Sequence, residues 1–118
     1  MDCINDNKYK LILLYVNSIL QNISKSEITD LTHFKDISRD ELLIDTNEKV
    51  FEKHEKEIFK YYDKKKIGYY RRKYVQNYFL TFLKYSLRDI GYKITYREQK
   101  TQENKIVKIT TYYSIVKI

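Results

Sequence analysis

Tyr78-Phe79-Leu80-Thr81-Phe82-Leu83-Lys84-Tyr85-Ser86-Leu87-Arg88-Asp89-Ile90-Gly91-Tyr92-Lys93-Ile94-Thr95-Tyr96 changes its hydrophobic period at Gly91. Upstream, Phe79, Phe82, Leu83, Ser86 and Ile90 recur at steps of three and four, the spacing of one helix face. Downstream, Tyr92, Ile94 and Tyr96 alternate, as along a strand. Gly91 suits the position just past a helix, where the backbone turns left-handed. The other glycine, Gly68, marks the far end of the helical pattern, so a long helix is predicted over 69–90, about 33 Å in length. After a polar tip at Lys100–Lys105, Val107, Ile109, Thr111, Tyr113 and Ile115 alternate along a returning strand. The chain therefore closes on a β-hairpin.

Working back toward the start, Val50, Phe51, His54, Ile58, Tyr61 and Tyr62 line one face of a helix predicted over about 47–62, with Asp45 and Glu48 at its entry. Ser38 and Glu41 form a capping box ahead of Leu42 and Leu43. Ser24 and Ser26 are N-cap residues for short helical turns on which Ile28, Leu31, Phe34 and Ile37 follow in three-residue steps. Leu11, Tyr15, Ile19 and Ile23 recur at steps of four in a first helix entered at Asn5 or Asp6 and ending near Gln21. Ile12, Leu13, Leu14 and Val16 extend its apolar surface round the circumference, so it faces more than one neighbour. The expected fold is a single α+β domain over 1–118, helical for its first two-thirds and closed by the hairpin.

Charge divides the chain. Residues 1–59 hold 8 Lys/Arg against 12 Asp/Glu, net −4, whereas residues 60–118 hold 15 against 4, net +11. Of the 13 tyrosines only Tyr9 and Tyr15 fall in the first half. An AT-rich coding bias would raise Lys and Tyr throughout; it would not sort them into one half. We read 1–45 as an acidic helical subregion and 46–118 as a basic region whose expected partner is a polyphosphate with stackable bases.

Within the basic region, Lys64, Lys65, Lys66, Arg71, Arg72 and Lys73 put six cations into ten residues with Tyr69 and Tyr70 among them, an expected phosphate-gripping run. On a wheel of the long helix, Val75, Phe79, Phe82, Leu83, Ser86 and Ile90 form the core side. Lys73, Asn77, Thr81, Lys84 and Arg88 form an acid-free outer stripe, edged by Tyr74 and Tyr85 on one side and Leu80 and Leu87 on the other. In a DNA major groove such a face supplies Lys and Arg for phosphates or guanine edges and Asn for adenine. An ordinary solvated face explains the stripe equally well.

Two helices, a turn and a hairpin over about 47–118 resemble the winged helix-turn-helix family in order of elements. The resemblance implies that 69–90 is a recognition helix, that Lys93, Arg97, Lys100 and Lys105 furnish a wing, and that the partner is nucleic acid, DNA before RNA. The segment Asp63–Gly68 is longer than that family's turn, and no short first strand is legible.

Other readings compete. Tyr92, Tyr96, Tyr112 and Tyr113 are a possible stacking surface for RNA or a single strand. A basic face could instead meet an acidic protein, and the acidic half could mediate a homodimer. Enzymatic readings find little material: His33 and His54 are the only histidines, and Cys3 has no neighbouring base. Asp89, Glu98 and Lys100 follow a nuclease-like order, but Glu98 and Lys100 approach a hairpin tip where a packed metal site is hard to build. The expectation is a non-enzymatic protein without metal or cofactor. The run Leu11–Val16 is too short to span a membrane, and Asp2 and Asp6 stand where an export signal wants positive charge, so the expectation is a soluble, intracellular protein.

Overall fold

A computed structural model describes residues 3–44, 46–65 and 78–118. Along the described chain run α1 (Cys3–Asn22), a 3-10 turn (Leu31–His33), β1 (Ile37–Ser38), α2 (Arg39–Leu42), α3 (Thr46–Ile58), α4 (Tyr78–Asp89), β2 (Tyr92–Glu103) and β3 (Ile106–Lys117). This is an α+β arrangement with a C-terminal antiparallel sheet of strand order β1-β3-β2.

The first helix buries Leu11, Ile12, Tyr15, Val16, Ile19 and Leu20 against α3 and α4, which is the wide apolar surface its sequence carries. Leu14, at 57% exposure, is the position where that surface stops. Ser24 does not cap a following helix. It ends α1, its backbone in the left-handed region at φ 60° and the Lys25 N–H donating back to the Leu20 carbonyl at 2.7 Å. The three-residue steps of Leu31, Phe34 and Ile37 resolve into one 3-10 turn followed by a strand, with all three side chains buried. Asp30 caps that turn, its carboxylate accepting from the Thr32 N–H at 2.8 Å.

A short first strand therefore exists where none was legible. Two residues are too few for an alternating pattern, and β1 is held by β3: Ile37 pairs with Tyr113 and Ser38 with Tyr112. Ser38 then caps α2 directly, its hydroxyl accepting from the Glu41 N–H and donating to the Glu41 carboxylate. Helix α3 begins at Thr46 and ends at Ile58, four residues short of the expected end; the Tyr62 N–H still donates to the Ile58 carbonyl at 3.0 Å.

The core joins Tyr15, Phe51, Tyr62 and Phe82, whose rings meet edge to face at centroid distances of 5.3–6.0 Å. Two buried asparagines stitch loops to helices. Asn17 donates to the Ile28 carbonyl and accepts from the Ile28 N–H, at 2.9 and 2.8 Å. Asn47, fully buried, donates to the Leu42 carbonyl at 2.9 Å and accepts from the Asn22 side chain at 2.8 Å.

Gly91 stops α4 at φ +85°, as expected, and its carbonyl accepts from the Ile118 N–H at 2.9 Å. Glycine is needed here because other residues pay in this backbone region. The hairpin that follows is longer than its sequence advertises. Strand β2 continues through the polar stretch to Glu103, and the reversal takes only Asn104 and Lys105, both at positive φ (49° and 67°). Two left-handed residues make the turn that matches strand twist, and asparagine tolerates the first position.

Candidate nucleic-acid interface

The hairpin separates two chemistries by the period of the strand. One face carries Tyr92, Ile94, Tyr96, Glu98, Lys100 and Gln102 opposite Lys117, Ile115, Tyr113, Thr111, Ile109 and Val107. Ile115 and Tyr113 sink into the core at its base. The other face pairs Lys93 with Val116, Thr95 with Ser114, Arg97 with Tyr112, Gln99 with Thr110, Thr101 with Lys108 and Glu103 with Ile106. Over its middle this second face is polar, cations and hydroxyls with one amide, Gln99, and its one acid, Glu103, sits at the tip opposite Ile106.

Every residue from Tyr96 to Ile109 is exposed, so the distal hairpin is a bare two-stranded ribbon. The radius of gyration, 15.0 Å, exceeds the value of about 13.5 Å expected for a compact chain of this length, and the long axis reaches 54 Å against 29 and 26 Å. At the ribbon's root Arg97 is fixed in place. Its Nε donates to the Asp36 carboxylate at 2.9 Å, and its guanidinium lies 4.5 Å from the centre of the Tyr112 ring. Asp36 is itself anchored, its N–H donating to the Ser114 hydroxyl at 3.0 Å.

Helix α4 differs from the expected stripe. Thr81 is buried, at 3% exposure, and belongs to the core; Leu80 and Leu87, placed on the stripe's border, are buried as well. With Phe82, Leu83 and Ser86 also buried, α4 is enclosed on most of its circumference. A helix packed by α1, α3 and the sheet cannot offer a whole groove-facing side. Of the expected stripe, the described residues leave Arg88 exposed and Lys84 half-buried, with Asp89 exposed beside Arg88. Burial depresses the Lys84 ammonium below its ordinary range, and the neighbouring positive charge of Arg39 at the start of α2 adds to that. Arg39 thus lies near enough to Lys84 for its charge to be felt, Arg88 follows Lys84 one turn along α4, and neither Arg39 nor Lys84 has an ion pair among the described residues. Arg39 could not be expected there from sequence, because it lies in the acidic half.

Lys64 and Lys65 are exposed, with the Lys64 ammonium 5.8 Å from the Phe59 ring centre and the Lys65 N–H bonded to Asp63. Lys66, Tyr70, Arg71, Arg72, Lys73 and Asn77, like Val75 and the start of the predicted helix 69–90, lie outside the described residues. Lys93 and Arg97 are exposed on the polar ribbon face, with Lys108 beyond them.

The tyrosine platform does not assemble. Tyr112 projects from the face opposite to Tyr92, Tyr96 and Tyr113 and is covered by Arg97; Tyr113 is buried, and Tyr92 packs on Tyr9 at 5.9 Å. Tyr96 alone of the four stands well exposed, at 67%. Asp89 closes α4 with a 2.6 Å ion pair to Lys8, while Glu98 and Lys100 lie on the exposed ribbon. His54 is half-buried against the Tyr15 ring with Ser18 Oγ 3.1 Å from its Nε2. Burial holds its pKa below the usual 6.5, the condition of a boundary histidine. No helix among the described residues is long and apolar enough to cross a membrane.

Comparison with protein-family models, with curated proteins and with solved structures finds no match to this chain.

Proposed function

We propose that this protein binds nucleic acid without acting on it, and that its partner is duplex DNA. The carrying observation is the exposed ribbon whose outer face sets Lys93, Arg97 and Lys108 around Gln99, Thr101 and Thr110. A two-stranded ribbon has the width of a B-form major groove, and lysine, arginine and glutamine have the donors that phosphates and base edges accept. The charge of Arg39 felt at Lys84, with Arg88 one turn along α4, supports the same reading: like charges beside a half-buried ammonium are relieved by a phosphate. In this reading the run Lys64–Lys73 grips the backbone, as its composition suggests.

The order of elements favours a winged-helix type of architecture within this proposal. A short strand between the first helix and the next, laid against the wing, belongs to that arrangement, and β1 on β3 extends the resemblance upstream of residue 47. The contacting element moves, however, from the helix to the wing, since α4 is largely enclosed.

The test is fluorescence anisotropy on duplex, single-stranded DNA and RNA of one sequence across a salt series. If about four to six phosphates are neutralised, the log–log slope for duplex is about −4 to −5. Replacing Lys93, Arg97 and Lys108 together by Ala makes that slope shallower; replacing the exposed Lys49, Lys53 and Lys56 of α3 leaves it nearly unchanged. Equal damage from both triples reduces the effect to net charge, and absence of duplex binding at low salt refutes the proposal.

A further inference from the structure

The face of the ribbon that carries Lys93, Arg97 and Lys108 ends on an aliphatic side chain. Beyond the clamp at Arg97 and Tyr112 that face presents Gln99, Thr110, Thr101, Lys108 and Glu103, and then Ile106. Ile106 is 71% exposed. The ladder holds it in place: strand pairing runs unbroken to Glu103 and Ile106, and Asn104 and Lys105 alone make the reversal. A strand fixes the face that each side chain takes, so Ile106 shares the side of Lys108 and Gln99.

We infer that Ile106 is a wedge, entering one base step of the bound duplex so that the step unstacks and the DNA bends away from the ribbon. This rests on the reading of the ribbon as a duplex-binding arm and adds a deformation of the duplex to it. A face laid against bases through Gln99, Thr101 and Lys108 brings Ile106 to the same bases, with no donor or acceptor to offer them. Aliphatic side chains so placed part stacked bases. Such a side chain is about 4 Å thick, close to the spacing of about 3.4 Å between stacked bases, so one of them fills the gap opened at a single step. The two-residue turn supplies the stiffness that a wedge needs, because Ile106 belongs to the ladder and not to a loop.

The neighbours of Ile106 select bases over lipid, the other partner with an apolar interior behind phosphates. Glu103 lies across the ladder from Ile106, Gln102 across from Val107, and Asn104 and Lys105 form the extreme end. Insertion into hydrocarbon buries these polar groups first, at heavy cost. A base step takes Ile106 from the side and leaves them in a hydrated groove. There Lys105 and Lys108 reach phosphates, while the Glu103 carboxylate, repelled by phosphate, keeps to the bases, whose amino groups are its donors. Val107 and Ile109 belong to the opposite face and take no part. Parting a step costs least where stacking is already weak, at a pyrimidine–purine step or a mismatch, so the wedge also sets a preference among duplexes.

The test uses the full-length protein. Anisotropy reads binding to a duplex of about 25 base pairs, energy transfer between dyes on its ends reads bending, and 2-aminopurine beside a single mismatch reads unstacking. The wild type is expected to bend the duplex by about 20–90°, to raise the 2-aminopurine signal, and to bind the mismatched duplex about tenfold more tightly than the paired one. Ile106→Ala removes the bend and the signal at saturating protein and reduces the preference to under about threefold, with the salt slope unchanged. Val107→Ala and Ile109→Ala keep both. All three side chains are exposed, so each variant keeps the wild-type far-ultraviolet circular dichroism and melting temperature, which is checked alongside. Binding without a bend, or a bend that survives Ile106→Ala, overturns the wedge and leaves the DNA-binding reading standing; absence of binding overturns both. A bend lost equally in Val107→Ala overturns it too, since the apolar tip as a whole is then the agent. So does Ile106-dependent binding to phosphatidylglycerol vesicles with no bend in DNA, which gives the tip to a lipid surface.

Discussion

Thr81→Val is the substitution that separates a core residue from a groove contact on the same helix. Thr81 is 3% exposed, and its hydroxyl is buried with no hydrogen-bond partner among the described residues. A buried hydroxyl left unpaired costs about 1–3 kcal/mol, and valine has the same shape without that group. Both side chains are β-branched with similar helix propensity, so the backbone term nearly cancels. The expected gain is about 1–2 kcal/mol. For a domain of this size that corresponds to a rise in melting temperature of about 3–10 °C, read by differential scanning calorimetry. DNA affinity, measured in parallel, should stay within about twofold, because the side chain has no path to a ligand. A fall in melting temperature would mean that the hydroxyl is satisfied in the fold. Unchanged stability with lost affinity would return Thr81 to a contacting stripe and refute the packing described for α4.

Two further predictions follow from the core and its edge. Phe82→Ala deletes a fully buried ring that meets Tyr15, Phe51 and Tyr62, and is expected to cost about 3–5 kcal/mol in urea unfolding, whereas Leu14→Ala, at an exposed site of α1, should change stability by under about 0.5 kcal/mol. His54 has a folded pKa below its unfolded value of 6.5, so its contribution is fully present above pH 6.5 and is lost as pH falls from there through the folded value; His54→Gln should flatten that part of a stability–pH profile, and an unchanged slope would show that other groups set it.

The helices and the hairpin were legible because their signals are periodic and local. Leu11, Tyr15 and Ile19 at steps of four, the change of period at Gly91, and the alternation from Val107 to Ile115 each announce an element without outside help. What escaped depends on partners far along the chain. Ile37 and Ser38 form a strand because Tyr113 and Tyr112 are there to pair with them. Lys100–Lys105 reads as a loop by composition, yet β3 holds most of it as strand. On the wheel, Thr81 falls with Lys84 and Arg88, and only the packing of neighbouring elements decides that it is enclosed and they are less so. The candidate interface was half legible. Lys93 and Arg97 enter it through the resemblance of the hairpin to a wing, whereas the fold brings the charge of Arg39 to bear on Lys84, a proximity that no local pattern encodes.

The clamp at the root of the ribbon has an implication for how this surface can change. Asp36, Arg97, Tyr112 and Ser114 lock the base of the two strands, the Ile115 N–H donates to the Phe34 carbonyl at 2.9 Å, and the residues beyond bury nothing in the body. Substitution between Glu98 and Ile109 is therefore nearly free of folding cost, since the core registers only what happens below the clamp. Affinity and specificity at the tip can be altered by selection, or by an engineer, on an arm whose attachment to a stable body is already secured.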